Sequence, residues 1–341
     1  MDIAIVGFGG VGRALLELIY DKKDDLASEG LDLNLKYVIN SRGGTYNPKG
    51  IDLMNFINFT GENRDLNSYQ GKGSKPASFD DIIQNKDVDM VIEMTPSNLD
   101  HGEPGLSHIS RALAKGIHVI TANKGPILLA YDKLQDLARE NGVKLGIGCT
   151  TGGALPSVNA GLIDLAGSKI TSIEGILNGT SNFILEEMEN NGLDYDLALK
   201  KAQEFGIAET DPSMDISGLD TGTKLLILTN VLMGENKTLD DIELVGIDSI
   251  DLDQVREMAG QNKRYKLIGR SIRTEEGLSI SVKPELVDRD NLFYNVNGKD
   301  KVVRYISDTL GDLTIIGGAS GVRPAAASIL RDLINMFREG V

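Results

Sequence analysis

The first twelve residues constrain the fold of this chain more than any other stretch. Ile3-Ala4-Ile5-Val6 is a short apolar run that ends in Gly7-Phe8-Gly9-Gly10-Val11-Gly12. Val11, Leu15, Leu18 and Ile19 then recur at helical spacing. A strand, a G-x-G-x-x-G turn and a helix in direct succession point to a dinucleotide site. In such a turn the first glycine permits the tight bend, the second lets a pyrophosphate approach the backbone, and the third allows close helix–strand packing. Free N–H groups and the positive end of the helix then face the phosphates. A glycine-rich turn without a ligand has no need of the flanking strand and helix.

The alternation continues. Leu33–Ile39, Val88–Ile92, His118–Thr121 and Lys144–Ile147 read as strands, with helical patterns over Ser107–Lys115 and Tyr131–Glu140. This predicts an α/β fold whose residues 1–150 form a Rossmann-type, doubly wound parallel sheet. The stretch from Arg42 to Pro76, rich in Gly, Asn and Lys, reads as a long excursion from that pattern. Gly152-Gly153 and Pro156 mark a boundary. Residues 151–323 then read as a mixed α+β catalytic and dimerisation domain. Its expected strands are Ile170–Leu177, Ile242–Leu244, Lys266–Arg273, Leu278–Lys283, Asn291–Val296 and Lys301–Ser307. Its helices are Thr180–Asn190, Leu197–Phe205, Gly218–Met233 and Leu252–Ala259. A last amphipathic helix, Pro324–Arg338, is long enough to return to the first domain. Apolar character in Leu278–Lys283 and Lys301–Ser307 would make poor solvent-facing edges, which predicts a homodimer joined through this sheet.

Composition excludes several classes of function. A net charge of −15 without a basic block repels phosphate backbones, so nucleic-acid binding is not expected. Apolar runs such as Leu225–Leu228 fall far short of the ~20 residues a spanning helix needs. The N-terminus lacks the pattern of a signal peptide, and one cysteine, Cys149, fits a reducing cytoplasm.

Cofactor choice is read at the end of the second strand. Val38-Ile39-Asn40-Ser41-Arg42 carries no acid for a ribose 2′-hydroxyl, and Asp32 comes too early. Arg42 can form a bidentate pair with a 2′-phosphate, so NADP is expected, with NAD tolerated. At a later strand end, Thr121-Ala122-Asn123-Lys124-Gly125-Pro126 places Lys124 where ligands of open α/β sheets bind. The densest constellation is Ala208-Glu209-Thr210-Asp211-Pro212-Ser213-Met214-Asp215-Ile216-Ser217-Gly218-Leu219-Asp220-Thr221-Gly222-Thr223-Lys224. Asp220 and Lys224 share one helix face. Carboxylates suit the ammonium of an amino acid, and a carbonyl reduction needs a proton donor. A capped surface helix with ordinary ion pairs, or a hard-cation site, would use the same residue types.

Together these segments resemble the homoserine dehydrogenases, in the same order along the whole chain. Asn178-Gly179-Thr180 is similar to that family's substrate-side segment, Glu209–Lys224 to its signature, and Thr121–Pro126 to its nicotinamide-side lysine segment. Gly317-Gly318-Ala319-Ser320-Gly321-Val322-Arg323-Pro324 is similar to the glycine-rich segment that closes over the cofactor. The resemblance implies NAD(P)-dependent interconversion of L-homoserine and L-aspartate 4-semialdehyde, in threonine and methionine biosynthesis. It implies that Lys224 exchanges the proton, Asp220 orients it, and Lys124 lies between substrate and nicotinamide. It further implies that Glu209, Asp215 and Thr180 bind substrate, and that Gly7, Phe8, Gly9, Val11, Gly12, Arg42 and Thr95 line the cofactor. Members with a sodium-like ion add a glutamate to backbone carbonyls before the boundary glycines. Here Gly146-Ile147-Gly148-Cys149-Thr150-Thr151-Gly152-Gly153-Ala154-Leu155 has none, so only the carbonyls of Thr151, Gly153 and Leu155 remain and no metal is expected. Ile207 stands where some members place a tyrosine. With the sequence ending at Val341, the family's optional regulatory domain, and control by end-product binding at it, are not expected. Rival readings are another amino-acid dehydrogenase on a similar scaffold, which has no need of the Asp220/Lys224 pair, and a nucleotide-sensing protein without turnover.

Overall fold

The computed structural model describes residues 1–62 and 65–338; Asn63 and Arg64, within the excursion, lie outside the described residues. The chain forms two compact units, one of Met1–Thr150 with the chain from Gly321 onward, the other of Thr151–Ser320.

The first unit is built on a seven-stranded sheet in the order β4-β3-β2-β1-β5-β6-β7. Its strands are β1 (Asp2–Val6), β2 (Asn34–Asn40), β3 (Gly43–Tyr46), β4 (Lys75–Pro76), β5 (Met90–Glu93), β6 (His118–Thr121) and β7 (Leu145–Gly146). The pairs β1–β2, β1–β5, β5–β6 and β6–β7 are parallel. Ile3, Ile5, Val38, Met90 and Ile92 are fully buried, as parallel strands covered on both faces require. The strand order turns back between β1 and β5, which makes their carboxyl ends the switch point where such sheets bind ligands. Helix Gly10–Asp21 buries Ala14, Leu15, Leu16, Leu18 and Ile19, the face its periodicity announces. Helix Val322–Phe337 packs against it with Ala326, Ile329, Leu330 and Leu333.

Two readings of this unit are corrected. The stretch from Arg42 onward is no irregular excursion. Ser41-Arg42 is the tip of a β2–β3 hairpin in which Asn40 pairs with Gly43. Helix Leu53–Glu62 and β4 follow. Phe56 anchors the helix, edge-on to Phe8 at 5.6 Å and to Tyr69 at 5.0 Å between ring centres. Strands of four and two residues are too short to leave a period in the sequence. The sixth-strand helix also starts earlier than its pattern, running Lys124–Glu140. Gly125-Pro126 sits in its first turn, where a missing N–H breaks no bond. Non-helical backbone at Ala130 interrupts the period and hid the first half.

The second unit carries a six-stranded sheet in the order β13-β12-β8-β10-β11-β9. These are β8 (Ile170–Ile176), β9 (Glu243–Leu244), β10 (Lys263–Thr274), β11 (Gly277–Asp288), β12 (Lys301–Ser307) and β13 (Asp312–Gly317). Helix Leu219–Met233 lies on β10. Gly269 makes room for it, since a Cβ there would meet Thr221 and Leu225 at 3.2 and 3.3 Å. Here too the sequence reading needs correction. Lys301–Ser307 is not an edge but lies between β8 and β13. Asn291–Val296 is not a strand. Leu292–Asn295 is a single 3₁₀ turn capped by the Asn291 side chain, and its buried Phe293 and Val296 mimic strand alternation. The edges are β9 and β13, and β13 lies in residues the sequence reading left unassigned, up to the first glycine of the segment Gly317–Pro324.

Candidate active site

In the first unit, the turn after β1 meets the end of β5. Gly7 has φ +93°, and a Cβ there would lie 2.4 Å from the backbone of Met94 and Thr95. No other residue fits that approach. A Cβ on Gly12 would sit 3.0 Å from the Phe8 ring, so this glycine serves close packing. A Cβ on Gly9 meets nothing within 4 Å. That open face at the N-terminus of helix Gly10–Asp21 is the space a pyrophosphate requires. The N–H groups of Gly7 and Phe8 both donate to the Ile39 carbonyl, at 2.9 and 3.0 Å, and tie the turn to the end of β2.

Beside it lies a cavity of about 570 Å³ lined by Phe8, Gly9, Asn40, Ser41, Arg42 and Arg13, among others. The Asn40 side chain accepts the Arg42 N–H at 2.8 Å, and Asn67 donates to the Arg42 carbonyl at 3.0 Å. The backbone of this exposed arginine is therefore held while its guanidinium stays available. Arg13 was missed in the sequence. It follows the third glycine on the first turn of the helix, and its guanidinium reaches Glu17 at 3.0 Å and Thr60 at 3.5 Å. Glu93 was missed as well, because a single acid inside an apolar strand carries no pattern. Fully buried, its carboxylate accepts from the Thr95 N–H at 2.9 Å, from the Thr95 hydroxyl, and from the Thr121 hydroxyl at 2.9 Å. Asn123 donates to the Thr95 hydroxyl at 3.2 Å and caps the helix that begins at Lys124. The Lys124 N–H donates to Ser97 at 3.0 Å. Thr95 and Lys124 are thus fixed at the carboxyl edge of the sheet by one buried acid and one amide.

The second unit gathers the carboxylates and the lysine. Lys224 lies one turn after Asp220 on helix Leu219–Met233, and its Nζ is 2.6 Å from Asp220 Oδ2 and 2.9 Å from the Leu177 carbonyl. Both side chains are largely buried, at 17% and 12% exposure, which makes this more than a surface pair. Asn178 is the residue that sequence reasoning left without a role. Its Oδ1 caps helix Gly179–Asn191 by accepting from Thr180 and Ser181 at 2.9 and 3.0 Å. Its Nδ2 donates to Asp215 Oδ1 at 2.6 Å and Asp220 Oδ2 at 2.8 Å. One amide therefore holds two acids side by side and ties them to a helix start. Thr180 is in the same group, its hydroxyl donating to the Ile207 carbonyl at 3.1 Å. Glu209 is not drawn in by its side chain, which is exposed; only its backbone carbonyl is held, by Gln203 at 3.2 Å. The Ser213 hydroxyl and N–H hold the Asp211 carboxyl below its usual range.

In the same unit, Lys266 is almost fully buried and donates to Asn182 Oδ1 at 2.9 Å and the Val296 carbonyl at 2.6 Å. Loss of hydration brings its ammonium down to about 8. A lysine in a strand otherwise read as apolar gave no cue to this role.

Comparison with known proteins agrees with both halves. A homoserine dehydrogenase NAD-binding domain model matches residues 7–147, and a homoserine dehydrogenase model matches 156–334. A homoserine dehydrogenase of Methanocaldococcus jannaschii is 40% identical over 337 residues, 99% of this chain and 98% of its own. An NAD(+)-dependent homoserine dehydrogenase of Pseudomonas canavaninivorans is 35% identical over 98% of this chain and 96% of its own. A hyperthermophilic archaeal homoserine dehydrogenase mutant in complex with NADPH superposes with a TM-score of 0.83 at 27% identity, covering 100% of this chain and 98% of the other. The chain belongs to the homoserine dehydrogenase family and is a nicotinamide-dependent oxidoreductase acting on a CH–OH group.

Proposed function

We propose that the enzyme works with NADP in preference to NAD, and that Lys224 is its proton donor and acceptor. The observation that carries the second point is the largely buried Lys224–Asp220 pair, held to Asp215 through the single amide of Asn178. When bound, the nicotinamide would supply the hydride acceptor for the alcohol and the hydride donor for the aldehyde. In the reduction the Lys224 ammonium gives its proton to the developing alkoxide, and in the oxidation the neutral Lys224 amine takes that proton from the hydroxyl. Asp220 and the Leu177 carbonyl restrict the ammonium to one position, so little motion is lost when substrate arrives. Asp215, with Glu209, receives the substrate ammonium, and Thr180 lies beside it. Lys124, at the carboxyl edge of the first sheet, serves the nicotinamide side together with Thr95.

Arg42 and the absence of an acid at the end of β2 support NADP, as does the NADPH bound by the archaeal neighbour. The name of the Pseudomonas relative supports tolerance of NAD across the family. The test is the initial rate of nicotinamide reduction with homoserine and each oxidised cofactor. A kcat/KM ratio favouring NAD would overturn the assignment.

We also propose a homodimer formed through the second unit's sheet, in a cytoplasmic enzyme. Support comes from β11, which meets β9 only at Ser281 and Val282, and from the edge strand β13, whose Ile316 is 57% exposed. Among the described residues no helix is long and apolar enough to cross a membrane. Light scattering that returned a monomer at micromolar concentration would refute the dimer.

A further inference from the structure

The loop whose carbonyls would hold a monovalent cation already faces one. Lys301, the first residue of β12, is 6% exposed, a depth at which ammonium groups are found only with partners. Its Nζ donates to the Gly152 carbonyl at 3.1 Å and to the Ser320 hydroxyl at 3.2 Å. The same Gly152 carbonyl accepts the Leu155 N–H at 3.2 Å, and the Leu155 carbonyl accepts the Ser157 N–H at 2.8 Å. Gly318 packs so tightly on Leu155 that a Cβ there would lie 2.6 Å from the leucine Cβ. Two loops of the second unit, Gly152–Leu155 and Gly318–Ser320, are thus in contact and share one buried positive charge.

A bare metal ion would use the Thr151, Gly153 and Leu155 carbonyls of the same loop, on either side of the Gly152 carbonyl that Lys301 holds, and, in the resemblance drawn above, a carboxylate that this sequence lacks. A second unit charge close to a buried ammonium would be repelled strongly in so dry a site. We infer that Lys301 takes the place of a monovalent cation: its ammonium is the resident charge that sets the Gly152–Leu155 loop, so neither fold nor turnover depends on Na⁺ or K⁺. The lysine is a positioning residue. Its neighbour Val302 pairs with Ile176 of β8, one residue before Leu177, whose carbonyl holds Lys224. Lys301 also clasps both ends of the unit, close to where the chain enters at Thr151 and leaves at Ser320.

The test uses the full-length enzyme, with melting temperature and initial rate read in parallel. The medium contains NaCl, KCl or tetramethylammonium chloride at equal ionic strength. The wild-type protein should give the same melting temperature and rate in all three. Lys301→Ala removes one of two donors to the Gly152 carbonyl and the donor to the Ser320 hydroxyl, and should lose roughly tenfold in rate, with a lower melting temperature. Addition of NH₄⁺ or K⁺ should restore both in a saturable way that tetramethylammonium does not reproduce. Saturable Na⁺ or K⁺ dependence of the wild type would overturn the inference, and this arm decides even if the variant fails to fold. A Lys301→Ala or Lys301→Met enzyme at wild-type level without added cation would also overturn it. So would a weakened variant that no small cation rescues.

Discussion

Replacing Lys224 with alanine separates chemistry from architecture in this site. The ammonium is 2.6 Å from Asp220 Oδ2, and the same carboxylate also takes a hydrogen bond from Asn178 at 2.8 Å. Removal of the donor should lower kcat by about 10²–10⁴-fold, or roughly 2.7–5.5 kcal/mol of barrier. It also leaves Asp220 as a buried charge whose strongest partner is gone. Breaking such a pair costs about 3–5 kcal/mol when nothing replaces the lost group, and since the Asn178 amide remains, the lower end applies. For a unit of this size about 3 kcal/mol corresponds to a fall in Tm of roughly 6–12 °C. The helix itself is not at risk, because alanine is its best former. Rates followed at 340 nm should therefore be measured well below the variant's Tm, with NADPH affinity from cofactor fluorescence expected to stay near wild type. Adding Asp220→Asn to Lys224→Ala removes the charge that Lys224 had balanced, and should return much of the Tm without returning turnover. If turnover recovered along with Tm, or if Lys224→Ala alone kept near-normal kcat, Lys224 would be a structural strut and the proton assignment would be wrong.

Other perturbations test neighbouring parts. Arg42→Ala should weaken NADP binding by about 1.5–3 kcal/mol and leave NAD almost untouched, as titration of both cofactors will show; an equal loss for both would contradict the 2′-phosphate role. Asn178→Asp keeps a good helix cap but removes the donor to Asp215 and Asp220 and adds a third acid, so urea unfolding should register a loss of about 2–4 kcal/mol. Lys266 carries the pH dependence: burial lowers its pKa from 10.5 to about 8. Between those values the unfolded chain holds a proton that the folded chain has released, so stability contributed at this site rises with pH from about 8 upward. Lys266→Met should abolish that rise, and denaturation midpoints between roughly pH 8 and 9.5, below tyrosine ionisation, compare the two slopes. Parallel slopes would contradict it.

How much of this was legible depended on length and period. The strand–glycine–helix opening, the parallel order and the helix bearing Asp220 and Lys224 could be read directly, because each is a sustained pattern or a motif with fixed spacing. Short elements could not. β3 and β4 are too brief to show a period, and the turn at Leu292–Asn295 imitates a strand by burying Phe293 and Val296. The deepest gap concerns buried polar residues. Glu93, Asn178, Lys266 and Lys301 each have at least one partner 28 to 149 residues away in sequence. No local rule can see those partners, and each residue alone looks like an exception to an apolar strand or an ordinary loop residue.

The tip of the β2–β3 hairpin has a bearing on how this lineage can change. Arg42 stands on a two-residue turn whose backbone is held by Asn40 and Asn67, while the hydrophobic interior begins only at Ile39 and Gly44 on either side. On the role proposed for Arg42, exchanging the two turn residues would change the ribose contact without disturbing the hydrogen bonds that hold the sheet together. Preference for a phosphorylated or unphosphorylated dinucleotide would then be a cheap trait to gain or lose, and related enzymes with opposite preferences would need to differ by little more than this corner.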